Sequence, residues 1–345
     1  MVTASFKKYI LNFKQPSGTS RGVLNTKETF FISLKEDERK GFGECSVFRG
    51  LSVDDRPDYE SKLQWLCQNS HLNIDVLMAE LIEFPSIQFG LETAFKSLNN
   101  INPFEIFPSA FSKGTTSIPI NGLIWMGSID FMKAQIKDKI DAGFKCIKIK
   151  IGALDFHSEI SLLKSIRKEF SSKDIELRVD ANGAFSASEA LEKLKVLSEF
   201  DLHSIEQPIK QGQIADMARL CEETPLPIAL DEELIGHFTV TKKKELLQTI
   251  KPQFIILKPS LVGGFQGSDG WIYEAEQRNI GWWITSALES NLGLNAIAQY
   301  TFLKKSKMPQ GLGTGGLFTN NIESPLFVEV GALKYDQFKQ WNFNF

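Results

Sequence analysis

Cys146-Ile-Lys-Ile-Lys-Ile-Gly152 is the stretch on which the reading of this 345-residue chain turns. Side chains alternate across a strand, so Ile147, Ile149 and Ile151 face one way while Cys146, Lys148 and Lys150 face the other. Alone, a Lys-x-Lys of this kind is ordinarily a solvated edge strand. Four further runs change that reading, because each is a short apolar stretch that ends on charge: Leu177-Arg-Val-Asp-Ala-Asn-Gly183, His203-Ser-Ile-Glu-Gln-Pro208, Ile228-Ala-Leu-Asp-Glu232 and Phe254-Ile-Ile-Leu-Lys-Pro259. Asp180, Glu206, Asp231 and Lys258 thus fall at strand ends, as the lysine pair does.

Helical stretches of ten or more residues separate these runs. Strands are expected near residues 117–121, 146–151, 176–180, 203–206, 227–231, 254–258, 282–286 and 310–314. Parallel strands with interleaved helices predict an α/β chain built as a (β/α)-barrel. Ahead of it, strand-like segments at Tyr9–Phe13, Glu28–Leu34 and Gly41–Cys45 give way to a helical pattern from Tyr59 to Asn99. That order predicts an α+β capping domain over residues 1–110, with the barrel over 111–324. Residues 325–345 carry no further strand–helix unit and are expected to pack back on the capping domain. Ser186-Ala-Ser-Glu189 has capping-box spacing before an apolar helical period.

Composition narrows the partners. Lys and Arg number 39 against 42 Asp and Glu, a net charge of −3, so no field draws the chain to nucleic acid or an anionic membrane. No run reaches the ~18 apolar residues of a membrane span, and Met1–Lys14 lacks the pattern of a secretory leader, so a cytoplasmic protein with a small-molecule partner is expected. Cys45, Cys67, Cys146 and Cys221 form no CxxC pair and the four histidines are scattered, which argues against a zinc site. No Walker pattern or strand–GxGxxG–helix unit is present, so nucleotide binding is disfavoured. Nothing in the sequence speaks to oligomeric state.

Barrel active sites form at the carboxyl ends of the strands. Three carboxylates from successive strands, Asp180, Glu206 and Asp231, can converge on one hard cation, for which Mg²⁺ is suited. Lys148 and Lys150 would both point into the barrel mouth, where like charges lower one another's proton affinity, and a lysine tuned down is a competent general base. Lys258, on the sixth strand, would approach from the opposite side. Asn182 shares the face of Asp180. The loop Gly311-Leu-Gly-Thr-Gly-Gly316 could offer backbone N–H groups to an anion such as a carboxylate.

The motifs Lys-x-Lys, Asp-x-Asn, Glu-Gln-Pro, Asp-Glu and Lys-Pro, in this order, resemble the enolase superfamily over essentially the whole chain. That resemblance implies a modified TIM barrel with a capping domain. It further implies Asp180, Glu206 and Asp231 as ligands of Mg²⁺ (Mn²⁺ being the alternative), Lys150 as acid/base, Lys258 as the opposing lysine, and Lys148 as the group that tunes and positions Lys150. Gly41-Phe-Gly-Glu-Cys-Ser46, Phe89-Gly-Leu-Glu-Thr-Ala94, Ile118-Pro-Ile-Asn-Gly-Leu123 and Thr285-Ser-Ala-Leu-Glu-Ser-Asn-Leu-Gly-Leu294 further resemble the o-succinylbenzoate synthase family. The implied reaction is dehydration of a succinyl-hydroxycyclohexadiene carboxylate. A loop near Gln15 to Gly22 would close over the mouth, and Arg21, Asn182, Ser286 and Gly313 are implied substrate contacts. An N-succinylamino acid racemase, a dipeptide epimerase or a catalytically dead barrel are the rival readings on this scaffold. The absence of an acid in Gly311-Leu-Gly-Thr counts against the dipeptide.

Overall fold

Period-two alternation, with apolar residues on both faces, builds the first layer. In the computed structural model, which describes residues 1–19 and 22–345, strands β1 (Thr3–Thr19), β2 (Gly22–Glu36) and β3 (Arg39–Cys45) form an antiparallel sheet in that order. Phe30, Ile32 and Leu34 face helices α1 (Tyr59–Asn69), α2 (Ile74–Glu80) and α3 (Pro85–Leu98). Phe31, of opposite parity, packs with Leu292 and Ile322 of the barrel side. Helix α3 lies directly on β3 because both are glycine-bearing there: a Cβ on Gly43 would stand 2.0 Å from the Gly90 carbonyl oxygen.

Seven parallel strands follow, hydrogen-bonded in chain order: β5 (Gly122–Ile124), β6 (Cys146–Lys150), β7 (Glu176–Asp180), β8 (Ser204–Glu206), β9 (Ile228–Leu230), β10 (Phe254–Leu257) and β11 (Gly281–Ile284). Helices α4 (Ile129–Asp141), α5 (Phe156–Glu169), α6 (Ala190–Ser198), α7 (Ile214–Glu223), α8 (Val240–Ile250), α9 (Pro259–Val262) and α10 (Gly264–Glu276) connect them, and α11 (Asn291–Lys304) follows β11. Ile147, Ile149 and Ile151 are buried in the core between sheet and helices, as their parity predicts.

The two ends of the barrel depart from expectation. Residues 117–121 do not supply the first barrel strand: Ile118–Pro119 (β4) pairs antiparallel with β13 (Ala332–Tyr335), and the parallel ladder starts at Gly122. Pro119 has no N–H to give such a ladder. Residues 310–314 contribute only two parallel bridges, Gln310 to Ile120 and Gly311 to Thr285. Those bridges still join the two edges, since Asn121 N donates to Gln310 O and Ser286 N donates to Gly311 O. The glycines beyond Gly311 have no side chains with which to pack a strand.

The C-terminal segment divides instead of returning whole to the capping domain. Strand β12 (Leu326–Glu329) and β13 form a hairpin on β4, whereas Trp341 stacks on Phe104 and Phe343 packs edge-on to Phe31 and Phe42 of the capping sheet. Ser186 spends its hydroxyl on the Glu189 carboxylate (2.8 Å), and α6 starts at Ala190 with no side-chain cap. The four cysteines are free. Among the described residues no helix is long and apolar enough to cross a membrane.

Candidate active site

Strand register brings the charged residues together. Lys150 is paired with Asp180 between β6 and β7, and Asp180 with Glu206 between β7 and β8. Glu206 is paired with Ala229, so Asp231 projects two residues further along the same face. The result is a buried ionic cluster at the carboxyl ends of the strands, with Asp180, Glu206 and Asp231 at 0%, 2% and 3% exposure. Lys148 Nζ donates to Asp180 Oδ2 (3.1 Å) and Glu206 Oε2 (2.7 Å). Lys150 Nζ donates to Asp180 Oδ2 (2.9 Å) and Asn182 Oδ1 (2.6 Å). Lys258, just past the end of β10, ion-pairs with Asp231 at the end of the neighbouring β9.

Burial and charge compete at each group. Burial alone would strip the proton from Lys148, yet the carboxylates of Asp180 and Glu206 outweigh it and raise its pKa. The expectation that neighbouring lysines lower one another is therefore reversed at Lys148, because its two carboxylate partners outweigh burial. Lys258 is raised in the same way, burial being overcome by Asp231 and Glu206. Burial pushes Asp180 up, but Lys148 and Lys150 hold it below the usual carboxylate range, and Lys258 does the same for Asp231. Glu206 goes the other way: burial and the Asp180 charge push it up to about 8.

Above this cluster opens a cavity of about 620 Å³. Lys148, Lys150, Asp180, Asn182 and Lys258 line it, with Ser286, Gly313 and Thr314 from the last strand ends and Trp125 from the first. Leu24, Phe48 and Leu51 of the capping domain also line it. No sequence signal marked these three, since apolar residues in such positions read as core. Arg178 lies one layer beneath the cluster, stacked on Trp283 at 4.3 Å and donating to the Pro309 carbonyl (3.0 Å), and it closes the barrel floor.

Two expected substrate contacts are otherwise engaged. Asn182, at φ +44°, accepts from Lys150 and donates through Nδ2 to Glu232 Oε1 (3.0 Å), so both ends of its amide are taken. Ser286 Oγ bonds Thr314 Oγ1 (2.6 Å) and accepts from Leu288 N (3.1 Å), although it still faces the cavity. Arg21 lies outside the described residues. Residues 15–19 of the expected closing loop continue β1, with 17–19 paired to 22–24 beyond a register shift after Asn12, and Gly18 bridges Met126 beside the mouth.

A seven-stranded parallel barrel wall under an α+β cap, with lysines on opposite sides of three strand-end acids, defines a class. Residues 131–334 match the enolase C-terminal domain-like family, and the chain belongs to that family. Over 95% of its length and 98% of the relative's, it is 46% identical to the o-succinylbenzoate synthase of Desulfotalea psychrophila. The crystal structure of MenC from Desulfotalea psychrophila LSv54 superposes with a TM-score of 0.87 at 43% identity, covering 96% of this chain and 99% of that one. The substrate-liganded L-Ala-D/L-Glu epimerase of Bacillus subtilis shares the fold, with a TM-score of 0.82 at 18% identity and coverage of 96% and 95%.

The acids suit a hard divalent cation by donor type and charge. Among the described residues no three acidic, His or Cys side chains stand as a ready metal cage, because each carboxylate here is turned onto a lysine. Glu206 Oε1, however, is buried without a hydrogen-bond partner, and Glu206 is raised by burial first and by the charges of Asp180 and Asp231 after it. A cation bound by oxygen ligands would satisfy both.

Proposed function

We propose that this enzyme dehydrates 2-succinyl-6-hydroxy-2,4-cyclohexadiene-1-carboxylate to o-succinylbenzoate, the aromatising step of that branch of menaquinone biosynthesis. The observation that carries this reading is the 46% identity to an o-succinylbenzoate synthase over nearly the whole of both chains. The site supports it, with Lys150 and Lys258 facing one cavity from different strands and no acid in the Gly311–Thr314 segment to hold a substrate ammonium.

In this reading Asp180, Glu206 and Asp231 would hold Mg²⁺, with Mn²⁺ as a substitute, and the bound ion would supply positive charge for a carboxylate that gains negative charge. The Lys150 amine takes the proton from the ring carbon that bears the carboxylate. The ring C–O bond then breaks, and the Lys150 ammonium returns that proton to the departing hydroxide, so one water is lost and the ring becomes aromatic. Lys258 lies across the cavity as a fixed cation, favouring the electron-rich dienolate by charge and by attraction to the ring. Lys148, bonded to Asp180 and Glu206, holds those acids in register, and Asn182 aims Lys150. Leu24, Phe48 and Leu51 shield the reacting face from water. Ser286 and the backbone near Gly313 are the remaining polar wall toward the succinyl arm. The substrate is a small carboxylate, and the cytoplasm is the compartment that fits such a biosynthetic enzyme.

The test is loss of the conjugated-diene absorbance of the cyclohexadiene, with Mg²⁺, with EDTA, and with Lys150→Ala. Metal-dependent turnover that falls about 10²–10⁴-fold in the variant is expected. Metal-loaded, folded wild type that leaves the absorbance unchanged would overturn the assignment, and α-proton exchange of N-succinylamino acids would then be measured.

A further inference from the structure

Glu289 is fully buried beside the cavity and takes no part in the chemistry above. Its carboxylate reaches in two directions. Oε1 accepts from Ser260 Oγ at 2.5 Å, and Oε2 accepts from Ala287 N at 2.7 Å. Ser260 is also fully buried and stands two residues beyond Lys258, in α9. Ala287 sits between Ser286 and Leu288, and all three line the cavity. Leu288 adopts φ +66°, a left-handed conformation uncommon for a leucine, so the turn needs outside support. That support is the Glu289 carboxylate together with the Leu288 N to Ser286 Oγ bond.

The capping domain braces the same turn. Glu44 of β3, fully buried, accepts from Ser290 N (3.0 Å), Ser290 Oγ (2.5 Å) and Gly293 N (2.9 Å) at the start of α11, and from Thr29 Oγ1 (2.8 Å). The approach depends on Gly293, whose Cβ, were there one, would lie 2.8 Å from Glu44 Oε2. Lys27, buried on β2, donates to Ser46 Oγ at 2.5 Å, and the charges of Glu44 and Glu289 both act on it.

We propose that Glu289 is a positioning residue, whose carboxylate ties the segment carrying Lys258 to the Ser286–Leu288 wall and so fixes Lys258 relative to the substrate, with Lys27 and Glu44 of the capping domain bracing it. A buried carboxylate with two directed acceptor bonds fixes both segments at once, which an apolar contact of equal size would not. The inference rests on the proposed dehydration only in taking Lys258 to face the substrate.

Ser260→Ala removes the Lys258 arm alone, and Glu289→Leu removes both acceptors at a similar side-chain volume. With the metal-loaded full chain, each is expected to lower kcat about tenfold with KM within about threefold, and the double variant is expected to fall no further than the more impaired single, since both cut one connection. Folded variants whose melting temperature drops while kcat stays within twofold of wild type would overturn the proposal, because that is the behaviour of a purely structural acid. If wild type itself does not turn over the cyclohexadiene, the dehydration reading fails separately. The crystal structure of Ser260→Ala then decides: a shifted Lys258 supports the proposal, and an unmoved Lys258 still paired with Asp231 overturns it.

Discussion

Deleting the amide of Asn182 isolates one bond on which the proposed base depends. The Lys150 ammonium is held by Asp180 Oδ2 at 2.9 Å and by Asn182 Oδ1 at 2.6 Å, and the amide is itself fixed by its bond to Glu232. Asn182 also sits at φ +44°, where a residue with a Cβ and no compensating side chain is strained. Asn182→Gly therefore removes the amide without straining the backbone, whereas Asn182→Ala does both. A hydrogen bond to a charged group contributes about 1.5–3 kcal/mol, and at about 1.4 kcal/mol per decade its loss corresponds to roughly 10- to 150-fold. If the bond aims Lys150, that factor appears in kcat of Asn182→Gly with KM little changed. Asn182→Ala should show the same kcat and a further loss of stability on the order of 1–2 kcal/mol. Initial rates on the cyclohexadiene and urea unfolding of the three proteins measure both. A folded Asn182→Gly with kcat within threefold of wild type would refute the reasoning, as would a defect confined to KM, which would return Asn182 to a substrate contact.

Three other outcomes follow from particular contacts. Glu92 of α3 is buried and accepts from Phe265 N and Gln266 N, and burial pushes its carboxyl up to about 7 despite those bonds. The folded chain then holds a proton that the unfolded chain, near 4.5, has released, so Glu92 adds stability below about pH 4.5 that is lost as pH rises to about 7, on the order of 3 kcal/mol. Urea unfolding at pH 5 and 7.5 should show that loss in wild type beyond what Glu92→Gln shows, and equal pH dependence in the two would remove the claim. Gly43→Ala forces a methyl against the Gly90 carbonyl and should cost about 1–3 kcal/mol, read as a lower melting temperature, with an unchanged value contradicting the α3–β3 contact. Mg²⁺ at about 100 times its dissociation constant should stabilise wild type by about 2.7 kcal/mol in a thermal scan, and an equal shift in Asp231→Asn would exclude Asp231 as a ligand.

What could be read along the chain follows from covalent geometry. Successive side chains on a strand must alternate, so the isoleucines of Cys146–Gly152 could only go to the core if Lys148 and Lys150 went inward, and the same parity sent Asp180 and Glu206 to that face. The order of the strands was equally legible, because apolar runs and helical periods succeed one another locally. Chain closure was not. Whether residues 117–121 or Gly122–Ile124 carry the first parallel ladder depends on what lies beside them, and β13, more than two hundred residues later, claims Ile118–Pro119. In the sequence Asn182 is a candidate substrate contact and no more, because its partners, Lys150 and Glu232, are remote along the chain and adjacent only in the fold. The raised Lys148 has the same origin: the sequence shows its neighbouring lysine, while the acids that govern its proton arrive from β7 and β8. Local backbone geometry acts between neighbours in the chain, whereas hydrogen bonds and charge act through space, so the site's cast was written in the sequence and its pairings were decided by the fold.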